Sequence, residues 1–292
     1  MKISKKISFL LSIFLFINPV FAQTIDDALK TDPMLELGTS IKTLGLRSNV
    51  KEMQEKKFSI DKKGNKTDIQ ELFSNKYKFD QNGLNIEFEQ NYSDSLSIKN
   101  FFSYTNKGYI SHIDIETTDL SKDKDTSNTN LTIQFAEPKF STVDYKYVIK
   151  KNILYKAEER IEGPLKKINT RNGYFYHFND ENQIAQIDYQ TTDFVTKYFY
   201  DSNGIVKEVH HLKSGVLLNK YIYKYDTNNN LIKIASINTN NNTKYPNEEI
   251  AIGYKFDTKG NIIEKKVQAY LYSPNGTRDF FEGCLYLYNY SY

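Results

Sequence analysis

Tryptophan is absent from this chain and cysteine occurs once, at Cys284. A lone cysteine excludes an internal disulfide, so stability has to come from a core; the alternating neighbours of Cys284 mark it as a small buried residue. Histidine occurs four times, at His112, His177, His210 and His211. HExxH, GxSxG, Cys-rich metal spacing and a phosphate-cradling glycine loop are all missing. His210 and His211 are adjacent and in a strand point to opposite faces, so they cannot share a metal. The consecutive acids Glu158-Glu159 and Glu248-Glu249 diverge for the same reason. These absences predict a protein that is not an enzyme and carries no cofactor.

Long apolar runs are missing too, apart from Ile7 to Ile17, which is too short to cross a bilayer as a helix. Lys2, Lys5 and Lys6 precede that run and Val20-Phe21-Ala22 follows it, the pattern of a signal peptide over residues 1–22. The predicted location is the periplasm or the cell exterior. Cleavage takes three lysines and no acid from 39 basic and 36 acidic residues, leaving 36 of each sign. A balanced mature chain has no bulk field for nucleic acid or an anionic membrane surface, so no nucleic-acid partner is expected.

What the chain has in quantity is aromatic, with 23 Tyr and 19 Phe. Many of these sit in a recurring phrase: aromatic, any residue, aromatic, Asp, two polar residues, Gly or Asn, then an apolar run. It reads Tyr77-Lys78-Phe79-Asp80-Gln81-Asn82-Gly83, Tyr198 to Gly204, Tyr223 to Asn229 and Tyr254 to Gly260. Looser copies run from Phe58 to Gly64, Tyr104 to Gly108 and Tyr176 to Asn182. Alternating aromatics favour a half-buried strand. The Asp can accept hydrogen bonds from the backbone just beyond it, and Gly or Asn tolerates positive φ. The phrase therefore predicts strand, tight turn, antiparallel strand, with Asp61, Gly64, Asp80, Gly83, Asp201, Gly204, Asp226, Asn229, Asp257 and Gly260 as structural turn residues. A calcium loop needs more closely spaced oxygen ligands than these turns supply, so no metal role is assigned to the acids.

The faces can be read as well. Leu217, Asn219, Tyr221, Tyr223 and Tyr225 share one side of a strand, and Leu218, Lys220, Ile222 and Lys224 the other. One aromatic face and one wetter face suggest an antiparallel sheet. The predicted fold is all-β, an antiparallel meander of repeated hairpins forming a twisted sheet, open or partly rolled. Residues 46–292 make that single domain, preceded by a cap segment at 23–45 in which Thr24 to Leu46 is predicted helical.

The phrase resembles the YD repeats of Rhs and teneurin-type shells, and more closely small exported bacterial proteins with YD-repeat or Rhs-repeat-like sequence. The resemblance spans most of Leu46 to Tyr272 and implies a twisted β-meander. With export and no catalytic constellation, it points to a non-catalytic binding module of the cell envelope, meeting an unidentified protein or glycan partner through its tyrosine-rich face. One alternative is a periplasmic immunity protein against an Rhs-type toxin. Another is an outer-membrane β-barrel. Membrane insertion is not expected on this reading, because strand 217–225, with Lys220, Lys224 and Asn219, offers no clean lipid face.

Overall fold

The computed structural model describes residues 46–47, 49–67, 71–92, 96–106, 110–119, 139–150, 153–162, 167–239 and 245–292, together with Thr31–Asp32, Leu37–Gly38 and Leu44. The predicted signal peptide lies outside them, as does most of the predicted helical cap. The two described pieces of that cap, β1 (Thr31–Asp32) and β2 (Leu37–Gly38), pair with each other as antiparallel strands, so a helix through them is corrected.

Sixteen further strands form the body. They are β3 (Glu52–Ser59), β4 (Phe73–Phe79), β5 (Asn85–Tyr92), β6 (Leu96–Tyr104), β7 (Ile110–Asp119), β8 (Lys139–Lys150), β9 (Ile153–Glu162) and β10 (Lys167–Phe178). The second half comprises β11 (Ile184–Tyr189), β12 (Phe194–Tyr200), β13 (Val206–Lys213), β14 (Val216–Tyr225), β15 (Leu231–Asn238), β16 (Glu248–Phe256), β17 (Ile262–Tyr272) and β18 (Arg278–Ser291). Each pairs antiparallel with its sequence neighbours. The last then pairs with the first, from Cys284↔Ser59 to Ser291↔Glu52. The expected antiparallel meander is present, and its rolling, expected to be partial at most, is complete: the sheet is a closed barrel. Closure satisfies every edge, which an open meander cannot do.

The repeated phrase makes the turns of one rim. Asp201 Oδ1 accepts from the backbone N–H of Asn203 at 2.8 Å and of Ile205 at 3.0 Å. Asp80, Asp226 and Asp257 do the same two and four residues on. Gly83, Gly204, Asn229 and Gly260 occupy positive φ. In the Tyr176 copy, Asn179 replaces the acid and Asn182 takes the positive φ. Beside each of these turns the register slips by one residue, between Phe199 and Tyr200 for example. The Asp61 copy differs. It closes only the isolated bridge Ile60↔Lys66 inside a longer connection on the opposite rim.

The first barrel strand begins and the last ends at the turn rim, where Lys51 N–H donates to Ser291 O at 2.8 Å. At the other rim the gaps between consecutive strands are widest, from Ser59 to Phe73 and from Asp119 to Lys139. A slipped register leaves a strand-start carbonyl free on the turn side, and tyrosines capture it. Hydroxyls of Tyr104, Tyr147, Tyr200, Tyr225, Tyr254 and Tyr290 donate to the carbonyls of Asn85, Ile110, Ile184, Val206, Leu231 and Ile262 at 2.5–2.9 Å. Each bond ties the second strand of one hairpin to the first strand of the next.

The inner wall holds the core. Three groups of buried residues follow one another round it, centred on Phe88 and Ile113, on Tyr174 and Leu154, and on Val209 and Tyr223. Tyr147, Tyr198 and Tyr288 bridge adjacent groups. Outside, a small cluster of Phe58, Ile60 and Leu285 lies under the connection that bears Lys66.

Candidate functional site: the inner wall

Alternation places Met53, Glu55 and Lys57 of β3 on the inner side, so two charges stand on the face that carries the aromatic and aliphatic core. Glu55 is buried, and its carboxylate accepts from Tyr288 OH at 2.9 Å and from Asn75 Nδ2 at 2.7 Å. Asn75 Oδ1 accepts from Gln90 Nε2 at 3.0 Å, and Tyr92 OH donates to Gln90 Oε1. This row crosses four adjacent strands, β18, β3, β4 and β5. It meets the requirement that buried polar groups find partners.

Lysines on the inner wall rest on rings. Lys57 Nζ stands 4.9 Å from the Phe73 centroid and 5.6 Å from that of Tyr286. Lys265 Nζ lies 4.4 Å from the Tyr286 centroid, on the same ring. Lys156, 0% exposed, lies 4.6 Å from Tyr145 and 5.7 Å from Tyr147. Ring faces offer negative potential that offsets part of the desolvation of an ammonium. Farther toward the loop rim are two carboxylates, Glu248 of β16 and Glu282 of β18. Cys284 is a buried free thiol on the same wall, as expected.

At the turn rim the chain crosses the mouth before entering β3. Val50 is buried against the Phe79 and Phe88 group, with Leu44 and Leu46 packed beside it. The crossing is latched to the β16–β17 turn. Arg47 N–H donates to Asn261 Oδ1 at 2.6 Å, and Asn261 Nδ2 donates to Arg47 O at 2.9 Å and to Tyr292 OH at 3.0 Å. Asn261 is 1% exposed, so these bonds replace the water it would otherwise hold.

The outer wall is charged. Lys78–Glu87 (2.7 Å), Lys255–Glu264 (3.0 Å) and Lys220–Glu208 (2.7 Å) face outward across neighbouring strands. Three histidines also face outward beside acids: His112 between Asp144 and Asp114, His177 at Asp188, and His210 at Glu208. His211 faces inward, so the opposition of His210 and His211 holds. Exposed pairs of this kind contribute about 0–1 kcal/mol each in water. Phe101, Phe140, Phe199 and Val148 are interspersed among them.

The ten turn residues predicted from sequence sit on the rims. Asp61 and Gly64 occupy the loop rim and the other eight the turn rim, and none points into the inner wall. Two of these carboxyls are held below the ordinary carboxylate range, Asp226 chiefly by the side-chain amide of Asn230 and Asp61 chiefly by the N–H of Asn65. Among the described residues no group of three or more His, Cys, Asp or Glu is placed to hold a metal. The inner-wall charges escaped sequence reading, although a signal existed. Glu55, Lys156, Glu248 and Lys265 each fall in step with apolar residues of their own strand (Met53, Leu154, Ile250, Val267). A charge in step with a core face is what marks them.

No family model matches the chain, and no curated protein does. Solved structures similar to it include a porin-like protein from Bacteroides uniformis ATCC 8492, with TM-score 0.37 and 7% identity over 84% of this chain and 99% of that one. A porin-like protein from Bacteroides vulgatus ATCC 8482 has TM-score 0.32 and 12% identity over 83% and 98%. Likeness at this level carries no functional weight.

Three expectations are corrected. The YD-repeat and Rhs-like assignment finds no family match, and the phrase serves as the turn rim of a closed barrel. The tyrosine-rich face expected to meet a partner is the inner wall, where Tyr77, Tyr174, Tyr223 and Tyr286 are buried. The expectation of no membrane insertion rested on strand 217–225 offering no clean lipid face, and it did not reckon with a closed wall. With the last strand paired to the first, the wall leaves no unpaired edge, the condition under which strands can enter a bilayer.

Proposed function

We propose that this chain is an exported β-barrel of the outer-membrane type, with its turn rim toward the periplasm and its loop rim toward the outside. One observation carries the reading: an even-numbered antiparallel wall closes on itself, with the start of β3, the end of β18 and the Asp turns on one rim and the widest gaps between consecutive strands, Ser59 to Phe73 and Asp119 to Lys139, on the other. Outer-membrane barrels have that asymmetry. A signal peptide is the matching feature of the sequence. The outward ion pairs bear directly on this reading, because a lipid-facing Lys or Arg at the bilayer midplane costs about 2–4 kcal/mol.

The deciding measurement is fractionation of cells making the full chain, with sodium carbonate extraction of the envelope and unheated against heated electrophoresis. The expected result is retention in the carbonate-washed membrane and a shift in migration on heating. Quantitative release into the soluble fraction overturns the membrane reading and leaves a barrel whose apolar side faces inward.

A further inference from the structure

We infer that a cleft on the outer wall, at the seam between β18 and β3, binds a small zwitterion of the phosphoethanolamine type. The cleft holds about 310 Å³ and is lined by Glu52 and Gln54 of β3, Lys76 of β4, and Asn289 and Ser291 of β18. Register sets these residues side by side. Asn289 pairs with Gln54 and Gln54 with Lys76, one row across three strands, while Glu52 lies opposite Ser291 in the row nearer the turn rim. Met53 and Tyr290 also line the cleft. Both point inward, Tyr290 OH to Ile262 O, so they offer only backbone as a floor.

The fold itself does not use the polar groups of this cleft. Among the described residues, none forms a hydrogen bond or ion pair with the side chain of Glu52, Gln54, Lys76 or Asn289. The neighbouring pair on the same hairpin behaves differently. Lys78 faces Glu87 and closes on it at 2.7 Å. Lys76 faces Glu89 in the same register, yet no ion pair forms, and Glu89 accepts instead from the Asn91 amide at 3.3 Å. Glu52 feels the Lys78 charge only at a distance, because that ammonium is held by Glu87. The cleft therefore presents one cation and one anion on diagonal positions of neighbouring strands, roughly 7 Å apart, with two amides beside them.

That set selects its ligand by elimination. A divalent cation needs several oxygen ligands and is repelled by Lys76. A bare phosphate is repelled by Glu52. A saccharide finds no ring face to stack on, since the tyrosine of the lining is turned inward. A zwitterion satisfies both charges at once: its ammonium donates to the Glu52 carboxylate and its phosphate accepts from Lys76. Gln54 and Asn289 each carry donors and an acceptor and serve either end. Two sources carry this group, a free phosphoethanolamine ester and a lipid headgroup. Gln54 stands about 10 Å along the wall from the rim where Lys51 meets Ser291, the level of the headgroups when a barrel spans a bilayer. The lipid as source rests on the membrane reading, whereas the chemistry of the cleft does not.

The test is calorimetric titration of the folded full-length barrel, in detergent free of phospholipid, with glycerophosphoethanolamine. Glycerophosphate and ethanolamine, each lacking one of the two charges, are the controls. Saturable binding at least ten-fold tighter than either control is expected. Lys76→Gln should weaken it five-fold or more and abolish the preference over ethanolamine. Glu52→Gln should weaken it as much and abolish the preference over glycerophosphate. Both side chains lie on the outer wall away from the core, so the variants should keep the wild-type circular dichroism. No saturable binding, affinity equal to that of either control, or wild-type affinity in both variants overturns the inference. Native mass spectrometry from micelles doped with phosphatidylethanolamine identifies the source. Lipid retained by the wild type and lost from Lys76→Gln makes the headgroup the ligand; any other outcome beside a positive titration makes it the free ester. The titration does not depend on where the barrel resides, so its failure leaves the membrane reading intact.

Discussion

At Asp226 a single carboxylate organises five residues. It accepts from the N–H of Asn228 at 2.8 Å and of Asn230 at 2.9 Å, and from the Asn230 amide at 2.9 Å, while Asn229 turns through φ +63°. These donors, the Asn230 amide foremost, favour the charged form and hold its pKa below the ordinary carboxyl value of 3.8. The sign follows from linkage: a depressed carboxyl stabilises the fold fully above its unfolded pKa, and loses that contribution as pH falls through the folded value. Urea midpoints measured from pH 7 to pH 2 should therefore change little down to about pH 4 and then fall. Asp226→Asn should flatten part of that acid limb, while wild-type steepness in the variant would show that the turn acid does not contribute. The same logic explains why Asn179 can stand in for the acid in its own turn: an amide oxygen accepts from Gln183 N–H as the carboxylate would.

Between elements, the tyrosine that ends a strand does more than fill the core. Tyr225 OH reaches Val206 O at 2.9 Å, on a residue that lies beyond the last β13–β14 pair, Glu208↔Ile222. Tyr225→Phe keeps the ring and removes only the hydroxyl, so a loss of about 1 kcal/mol is expected, rising toward 3 if the carbonyl is left dry. Equilibrium urea unfolding measures it, and an unchanged midpoint would make the bond ornamental. Hairpins and their turns were legible in the sequence because alternation and turn chemistry are local. The Leu217–Tyr225 faces, for example, are the two walls of β14, as read. The bond from Tyr225 to Val206 was not legible, since it depends on which hairpin stands beside which. The inner charges at Glu55 and Lys265 were marked only by falling in step with Met53 and Val267, and their partners across strands were not legible, since those depend on the shared interior.

At the scale of the whole molecule, the property that local reasoning missed is closure. It depends on strand number, tilt and the register of the last strand against the first, and the contacts from Cys284↔Ser59 to Ser291↔Glu52 leave no mark on either segment alone. Removing residues 278–292 would open two long edges, on β17 and β3. Edges of that length invite pairing with other chains, so the truncated chain should run as oligomer or aggregate in size-exclusion chromatography where the full chain does not. A monodisperse truncated chain would mean that the seam is dispensable. The outward charges belong to this scale too, since only a closed wall has an outside.

Because Lys51 and Ser291, which flank the ring of strands, are hydrogen-bonded neighbours, the strand at which that ring begins is arbitrary. A variant with those ends joined by a short linker and new ends cut between Ser202 and Asn203 keeps every strand beside the same two companions. Translation order and spatial order are then separate quantities, and the time at which the wall seals is set by whichever strand emerges last.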